Sequence, residues 1–127
     1  MTGRAAPVLR VRFYRTLAGV RPVRDWLLSL SKEARREIGA DIARVQWQWP
    51  IGKPVVDGFG AGLYEVRTSL AGEQYRVLFY VEGDALVLVH RDSGRATMVL
   101  EHGIHKKTQK TPAAVIALAR KRMKEGT

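Results

Sequence analysis

Two arginines in the middle of the chain, Arg67 and Arg76, have the chemistry to hold an anion. The segments that contain them alternate apolar and polar residues, which predicts two neighbouring strands. A two-residue turn at Ala71-Gly72, or a four-residue loop over 70–73, would place Arg67 directly opposite Arg76. Because a guanidinium group binds a phosphate through two parallel hydrogen bonds, such a pair is typical of a phosphate site.

Two alternatives account for two arginines that face each other, since like charges at that distance repel. An anionic ligand lies between them, or carboxylates of the protein neutralise them. The candidate carboxylates in the sequence are Glu65, Glu73 and Glu101.

A second cluster of reactive residues occupies 102–112, which contains two histidines, three lysines and no acid. Lysines can neutralise a charged transition state, and histidine exchanges protons near neutral pH. A solvated basic loop without a catalytic role is the alternative. A metal site is not expected, because His102 and His105 lack a convincing third ligand and their neighbours are cationic.

The composition favours an anionic partner. The 127 residues fit a single domain over 1–127, with a loose segment at 1–8. Basic residues outnumber acidic ones by 22 to 12, a net charge of +10, and the excess lies in the flanking thirds, 1–62 and 102–127. This balance points to nucleic acid as the partner.

The absence of cysteine excludes disulfides, zinc–thiolate sites and a cysteine nucleophile.

Neither a membrane span nor a signal peptide is expected. No apolar run approaches the ~18 residues that a spanning helix needs, and the first eight residues lack a long apolar segment. We therefore expect a cytoplasmic protein.

The remaining patterns predict an α+β fold in the order β-αα-ββββ-α, with an antiparallel meander. Pro22 begins the first helix, Ser31 caps the second, and Thr111 caps the third with Pro112 at its first position. Strands are predicted at 9–16, 63–69, 74–82, 85–90 and 96–101. Residues 50–62 are expected to be irregular, and Asp92-Ser93-Gly94 to form a turn.

The sequence resembles the phage-derived, HigB-like branch of the RelE/ParE toxin superfamily over roughly 9–125. The most specific part is the run Lys106–Pro112, followed by a helix rich in alanine, arginine and lysine. Further matching segments are Phe13-Tyr14, Pro22-Val23, Leu30–Arg35, Gly62–Arg67 and Tyr75–Tyr80.

The resemblance implies a RelE-like fold and the toxin of a type II toxin–antitoxin pair. Such toxins are ribosome-dependent endoribonucleases that cut mRNA in the A site. In the implied reaction the RNA 2′-hydroxyl attacks the adjacent phosphate, without metal or other cofactor, and leaves a 2′,3′-cyclic phosphate and a 5′-hydroxyl.

The resemblance also assigns roles to individual residues. Arg76 matches the strand arginine that binds the scissile phosphate, and Arg67 matches an assisting arginine. His102 corresponds to a candidate general acid or base, and Lys107 to a residue that stabilises charge. The remaining residues expected to bind RNA are Lys106, Lys110, Arg120 and Lys121.

The sequence departs from this pattern by about ten additional residues between the strand at 74–82 and the lysine run. They either form an added β-hairpin, or His90-Arg91 takes the place of the usual His-Gly pair. The second alternative makes His90 a candidate in place of His102.

The implied partners are mRNA, the ribosome and a cognate antitoxin with a helix-turn-helix domain, with which the toxin can form a heterotetramer. Trp47, Trp49 and the 50–62 segment are candidate contacts for the antitoxin, although core packing is the more frequent role of tryptophan. A ParE-like toxin that acts on gyrase is the first alternative function. A non-enzymatic nucleic-acid-binding phage protein, or an inactivated toxin remnant, is the second.

Overall fold

The computed structural model describes residues 6–95, 97–101, 104–108 and 111–125, and over 94–108 it describes the backbone. The elements in chain order are β1 (Arg10–Phe13), α1 (Pro22–Ser29), α2 (Lys32–Gln48), β2 (Val56–Gly60), β3 (Leu63–Leu70), β4 (Glu73–Glu82), β5 (Ala85–Arg95), β6 (Thr97–Glu101), β7 (Ile104–Thr108) and α3 (Ala113–Glu125). The predicted α+β class is confirmed. Within the described ranges, no helix is long and apolar enough to cross a membrane.

Five strands form the main sheet, in the order β1-β5-β4-β3-β2. Strands β2 to β5 follow one another as an antiparallel meander. The first strand lies outside this meander, and β1 pairs parallel to β5. The physical reason is the connection: α1 and α2 intervene between β1 and the meander, and a crossover of that length permits parallel pairing.

Two local predictions were wrong, and both concern strands. Residues 50–62 were expected to be irregular, but β2 forms within them and pairs with β3. The turn expected at Asp92-Ser93-Gly94 is absent, because β5 continues to Arg95 in register with β4. In both cases the ladder to a neighbouring strand outweighs the local preference of glycine, aspartate and serine for turns.

Strands β6 and β7 pair with each other in a separate two-stranded sheet. The strand expected at 96–101 is confirmed, whereas 104–108 was expected to be a loop. Lys106 and Lys107 occupy β7 opposite Val99 and Met98. The added hairpin expected from the strand at 86–90, a turn and the strand at 96–101 does not form, because β5 pairs with β4 along its whole length and β6 pairs instead with β7, which carries the lysines.

Helices cover both faces of the main sheet. On one face α1 and α2 bury an apolar cluster that includes Val23, Ile38, Val45 and Phe79. Ser31 caps α2 as predicted, since its hydroxyl accepts a hydrogen bond from the Ala34 amide at 3.1 Å. The opposite face was not expected to be a core side. There α3 packs against a second cluster, which contains Leu63, Leu78, Tyr80, Val87, Val89 and Ala119.

The β3–β4 hairpin closes through the two-residue turn at Ala71-Gly72. Both residues have positive φ angles, 51° and 81°, as this class of tight turn requires. The turn fixes the register so that Arg67 and Arg76 are direct partners, as predicted.

The chain is anchored from Val8 onward. The amides of Val8 and Leu9 both donate to the Gln46 carbonyl oxygen, at 2.8 and 3.0 Å. Most of the segment expected to be loose, 1–8, lies outside the described residues.

Candidate functional site

A buried carboxylate lies between the two facing arginines. Glu65 is two residues before Arg67 on β3 and has no exposed surface. Its Oε2 accepts a 2.7 Å hydrogen bond from Arg67 Nε, and its Oε1 lies 4.0 Å from Arg76 Nε. A carboxylate without access to water needs such partners, since burying an uncompensated charge is costly.

Two further carboxylates complete the neutralisation of the pair. Arg67 Nη2 donates to Asp57 Oδ2 at 2.9 Å, and Arg76 Nη1 donates to Asp92 Oδ2 at 2.7 Å. The structure therefore supports neutralisation by carboxylates, and Glu65 was among the candidates. Asp57 and Asp92 were missed because they lie on β2 and on the end of β5, where no strand was expected.

Thr111 joins the start of α3 to this cluster. Its hydroxyl donates a 2.7 Å hydrogen bond to Glu65 Oε1, and the residue is almost fully buried. The expectation that Thr111 caps α3 was wrong: the helix begins at Ala113, and the hydroxyl binds the carboxylate instead. A capping hydroxyl accepts a hydrogen bond from a helix amide, whereas the Thr111 hydroxyl donates to an ionised carboxylate, which gives a stronger bond than one between neutral groups.

His90 lies on β5 beside the arginine pair. It is the register partner of Leu78, while Asp92, two residues further on, is the partner of Arg76. Its Nδ1 lies 3.1 Å from Arg122 Nη1 of α3. Since a guanidinium can only donate, Nδ1 is the acceptor and the ring proton lies on Nε2.

The surroundings of His90 favour its neutral form. Burial, together with the positive charges of Arg122 and Arg91, lowers the pKa of His90 to about 4, against a weaker opposing effect of Asp92. At neutral pH the imidazole is therefore uncharged. In this tautomer the Nε2–H group can donate a hydrogen bond to a phosphate oxygen.

Arg122, in the C-terminal half of α3, is held in place by contacts with β5 and with Tyr14. Arg122 Nη1 also donates to the Val89 carbonyl oxygen at 2.8 Å, and its guanidinium lies 5.3 Å from the centre of the Tyr14 ring. Tyr14 in turn donates to Glu125 at 3.3 Å. Burial lowers the pKa of Arg122, an effect that leaves a guanidinium charged. The sequence analysis did not single out Arg122. The only signal for it in the sequence is its place in the basic C-terminal helix.

The two α3 residues that were predicted to bind RNA differ in their surroundings. Arg120 donates to the carbonyl oxygens of Phe59 and Gly60 at 2.8 and 3.2 Å, and so ties α3 to β2. Lys121 is exposed to solvent.

The lysine run, 106–110, is followed directly by Thr111, which is hydrogen-bonded to Glu65 of the arginine cluster. The chain leaves the main sheet after Arg95, three residues beyond Asp92, and returns at Thr111. Lys106 and Lys107 are placed by the backbone of β7. Their side chains, and all of His102 and Lys110, lie outside the described residues.

Carboxylates neutralise the arginine pair, Arg122 adds a positive charge beside it, and the imidazole of His90 supplies a hydrogen-bond donor. Arg67, Arg76 and the imidazole of His90 share the α3 side of the sheet. Within the described part of the chain, no three histidine or carboxylate side chains come together as metal ligands would. The chemistry available from these described residues is stabilisation of a developing negative charge and donation of hydrogen bonds.

The sequence was also compared with known proteins. No curated protein matches it. The family model described as phage derived protein Gp49-like (DUF891) matches residues 25–124, which run from α1 into α3 and include every residue of the arginine cluster. This match spans well over half of the chain, and the protein therefore belongs to the phage-derived Gp49-like family.

Proposed function

We propose that this protein is the toxin of a toxin–antitoxin pair and that it cleaves mRNA on the ribosome as a metal-independent endoribonuclease. Membership of the phage-derived Gp49-like family and the net charge of +10 support this proposal. The observation that carries it is the arginine pair, which Glu65 orients, together with Thr111, which directly follows Lys110 and is hydrogen-bonded to Glu65.

The proposed reaction transfers a phosphoryl group within the RNA chain. The 2′-hydroxyl oxygen attacks the adjacent phosphorus and loses its proton to a base. The bond from phosphorus to the 5′-oxygen breaks, and that oxygen takes up a proton. The products are a 2′,3′-cyclic phosphate and a 5′-hydroxyl, and the enzyme must stabilise the additional negative charge that the phosphate carries in between.

The exposure of the two arginines suggests different roles. The Arg67 side chain is 24% exposed and is the more accessible to a phosphate, whereas that of Arg76 is 9% exposed. Arg76 then acts mainly through its charge and by holding Asp92. Glu65 is inaccessible, so we assign it the positioning of Arg67 rather than a proton transfer.

His102 is the candidate for the proton-transfer step, because Nδ1 of His90 is held by Arg122 and a neutral imidazole does not release its Nε2 proton. His90 presents a neutral ring with the proton on Nε2, which suits hydrogen bonding to the phosphate or to the leaving oxygen. Lys106, Lys107 and Lys110 would bind the RNA backbone close to the same site, with Lys107 stabilising charge. Arg120 and Lys121 would extend this basic surface along α3.

We further propose a helix-turn-helix antitoxin as the partner, assembled with the toxin as a heterotetramer, and the cytoplasm as the place of action. Trp47 is 43% exposed at the end of α2, which leaves it available for such a contact. Trp49 packs against Tyr64 and Phe79 with ring centres 5.1 and 5.7 Å away, and therefore serves the core.

The test is a brief expression in bacteria, followed by mapping of transcript ends by primer extension. The wild type is compared with Arg67→Ala, Arg76→Ala and Lys107→Ala. Arg10→Ala serves as the matched control, because it removes an exposed arginine from β1, at the opposite edge of the sheet from β2. Thermal unfolding of each purified variant shows whether it still folds.

We expect new 5′ ends within translated regions for the wild type and for Arg10→Ala. The ends should disappear in folded Arg67→Ala and Lys107→Ala variants, and in RNA that is not translated. Growth arrest without new ends would contradict the nuclease and favour a gyrase-directed toxin. If the protein causes neither growth arrest nor RNA cleavage, the remaining function is that of a nucleic-acid-binding phage protein.

A further inference from the structure

The outer edge of β1 has no partner strand among the described residues. The amides of Arg10 and Tyr14 donate to Asp84 and Leu88, towards β5. Because hydrogen-bonding direction alternates along a strand, the N–H and C=O groups of Val11 and Phe13 point away from the sheet. This edge therefore offers two donors and two acceptors at the spacing of an extended backbone.

A groove of about 1200 Å³ runs beside this edge. Its lining combines apolar side chains with arginines and includes Val11, Phe13, Leu17, Val87, Arg15 and Arg21. The groove is thus suited to a ligand that has both apolar and negatively charged groups.

The loop that follows β1 presents an apolar side chain beside the groove. Three hydrogen bonds between Thr16, Gly19 and Val20 close this loop. Leu17 lies within it and is fully exposed, and Val20 is 48% exposed. Together with the apolar lining of the groove, Leu17 and Val20 extend the apolar surface beside the edge of β1.

The charge around the edge is strongly positive. The first 24 residues contain six arginines and no acidic residue. Arg15 and Arg21 form no ion pair with any residue in the described part of the chain. Among the described residues that line the groove, Glu125 is the one carboxylate, and it accepts a hydrogen bond from Tyr14.

We propose that the outer edge of β1 and the adjoining groove bind an extended, acidic segment of a partner protein, which adds to the sheet as a further strand. Only another extended backbone matches alternating donors and acceptors, and apolar side chains of that segment would contact Leu17 and the groove. Acidic residues would pair with Arg15 and Arg21. A second copy of this chain fits poorly, because it would bring the same arginines against each other.

The test uses a random 12-residue peptide library displayed on yeast, selected against the full chain. The enriched peptide is then synthesised and its binding measured by titration. The Arg15→Glu/Arg21→Glu variant removes the proposed charge partners. Lys32→Glu/Arg36→Glu is the matched control, because it changes the net charge equally at exposed positions on α2. A third variant, Val11→Pro, removes an outward N–H while the bonds between β1 and β5 remain.

We expect enriched peptides that are acidic and free of proline over their central residues. Binding should weaken at least about tenfold in Arg15→Glu/Arg21→Glu and in Val11→Pro, and stay within about twofold in the control. Hydrogen exchange of the Val11 and Phe13 amides should slow when the peptide binds. Circular dichroism shows whether Val11→Pro is folded. If it is not, the comparison of the two charge variants tests the proposal by itself.

The proposal is overturned by a library without enrichment, by equal binding to the two charge variants, or by protection of amides elsewhere. It is also overturned if a 12-nucleotide oligouridylate binds through Arg15 and Arg21 while no peptide does, since the edge would then be a nucleic-acid surface. Peptide binding is measured without RNA, so failure of the nuclease proposal leaves this test unaffected.

Discussion

The hydroxyl of Thr111 donates a 2.7 Å hydrogen bond to Oε1 of Glu65. Thr111 directly follows Lys110, so the end of the lysine run is tied to the carboxylate that lies between Arg67 and Arg76. Near the end of β5, before the chain continues to the lysines, Asp92 accepts a hydrogen bond from Arg76. Hydrogen bonds thus link Thr111, Glu65 and Arg67 in one cluster, and Arg76 with Asp92 beside it.

Replacing the carboxylate of Glu65 should be strongly destabilising. Glu65→Gln keeps the shape but leaves Arg67 and Arg76 without the charge that lies between them. We expect the free energy of unfolding to fall by about 3 kcal/mol, measured by urea denaturation. Glu82→Gln is the control, because its ion pair with Arg12 is half-exposed and should contribute less than about 1 kcal/mol. Equal losses in the two variants would contradict the role of Glu65.

The hydrogen bond of Thr111 can be removed without changing the size of the side chain. Thr111→Val deletes the donor to a buried, charged acceptor and should cost about 2 kcal/mol. Thr111→Ser retains the hydroxyl and should cost less. If the two variants unfold at the same urea concentration, the hydroxyl does not contribute and the loss reflects packing alone.

Protonation of His90 should make stability depend on pH. Its pKa is lowered to about 4 in the folded state, whereas an unfolded histidine titrates near its usual 6.5. Between these values the unfolded chain binds a proton that the folded chain does not, so stability falls as pH falls from 7 to 4. Because His90 is partly exposed, we expect a loss of about 1–2 kcal/mol from this residue.

The measurement compares wild type with His90→Gln across that range, so that changes from other titrating groups cancel. The wild type should lose more stability than the variant. An NMR titration checks the same point, since the ring signals of His90 should stay at their neutral positions at pH 5.5. A ring that is already protonated at pH 6 would refute the prediction.

Removing Arg122 should raise the pKa of His90. Its positive charge is the second largest cause of the lowered value, after burial. Arg122→Gln removes that charge but retains a donor for Nδ1, so the NMR titration should shift to higher pH. Lys121→Gln, at the neighbouring exposed position, should leave the His90 titration unchanged. A shift of equal size in both variants would mean that general charge, and not the contact with Arg122, controls the imidazole.

Arg120 and Lys121 should separate stability from RNA binding. Arg120→Ala removes two hydrogen bonds to β2 and should lower the free energy of unfolding by about 1–2 kcal/mol. Lys121→Ala should change stability by less than about 0.5 kcal/mol, and weaken binding to single-stranded RNA, measured by fluorescence anisotropy. Unchanged RNA binding in Lys121→Ala would remove this residue from the proposed interface.

Local sequence patterns were sufficient for much of the fold. The apolar spacing of α2 and its Ser31 cap depend on neighbours within a turn of the helix, and both were predicted correctly. The register of Arg67 against Arg76 also followed from the sequence, because a two-residue turn leaves only one pairing. The arginines themselves, the basic flanks and the lysine run were evident from residue types alone.

Only the tertiary structure decided what surrounds those residues. Strand β2 and the end of β5 are stabilised by ladders to the neighbouring strands β3 and β4, and this pairing outweighs the turn-forming residues that concealed Asp57 and Asp92. Thr111 has the sequence context of a helix cap, yet it donates to Glu65, 46 residues away. His90 owes its lowered pKa to burial and to Arg122 on the last helix. These contacts join residues far apart in the chain, and a local pattern carries no information about which distant group lies within hydrogen-bonding reach.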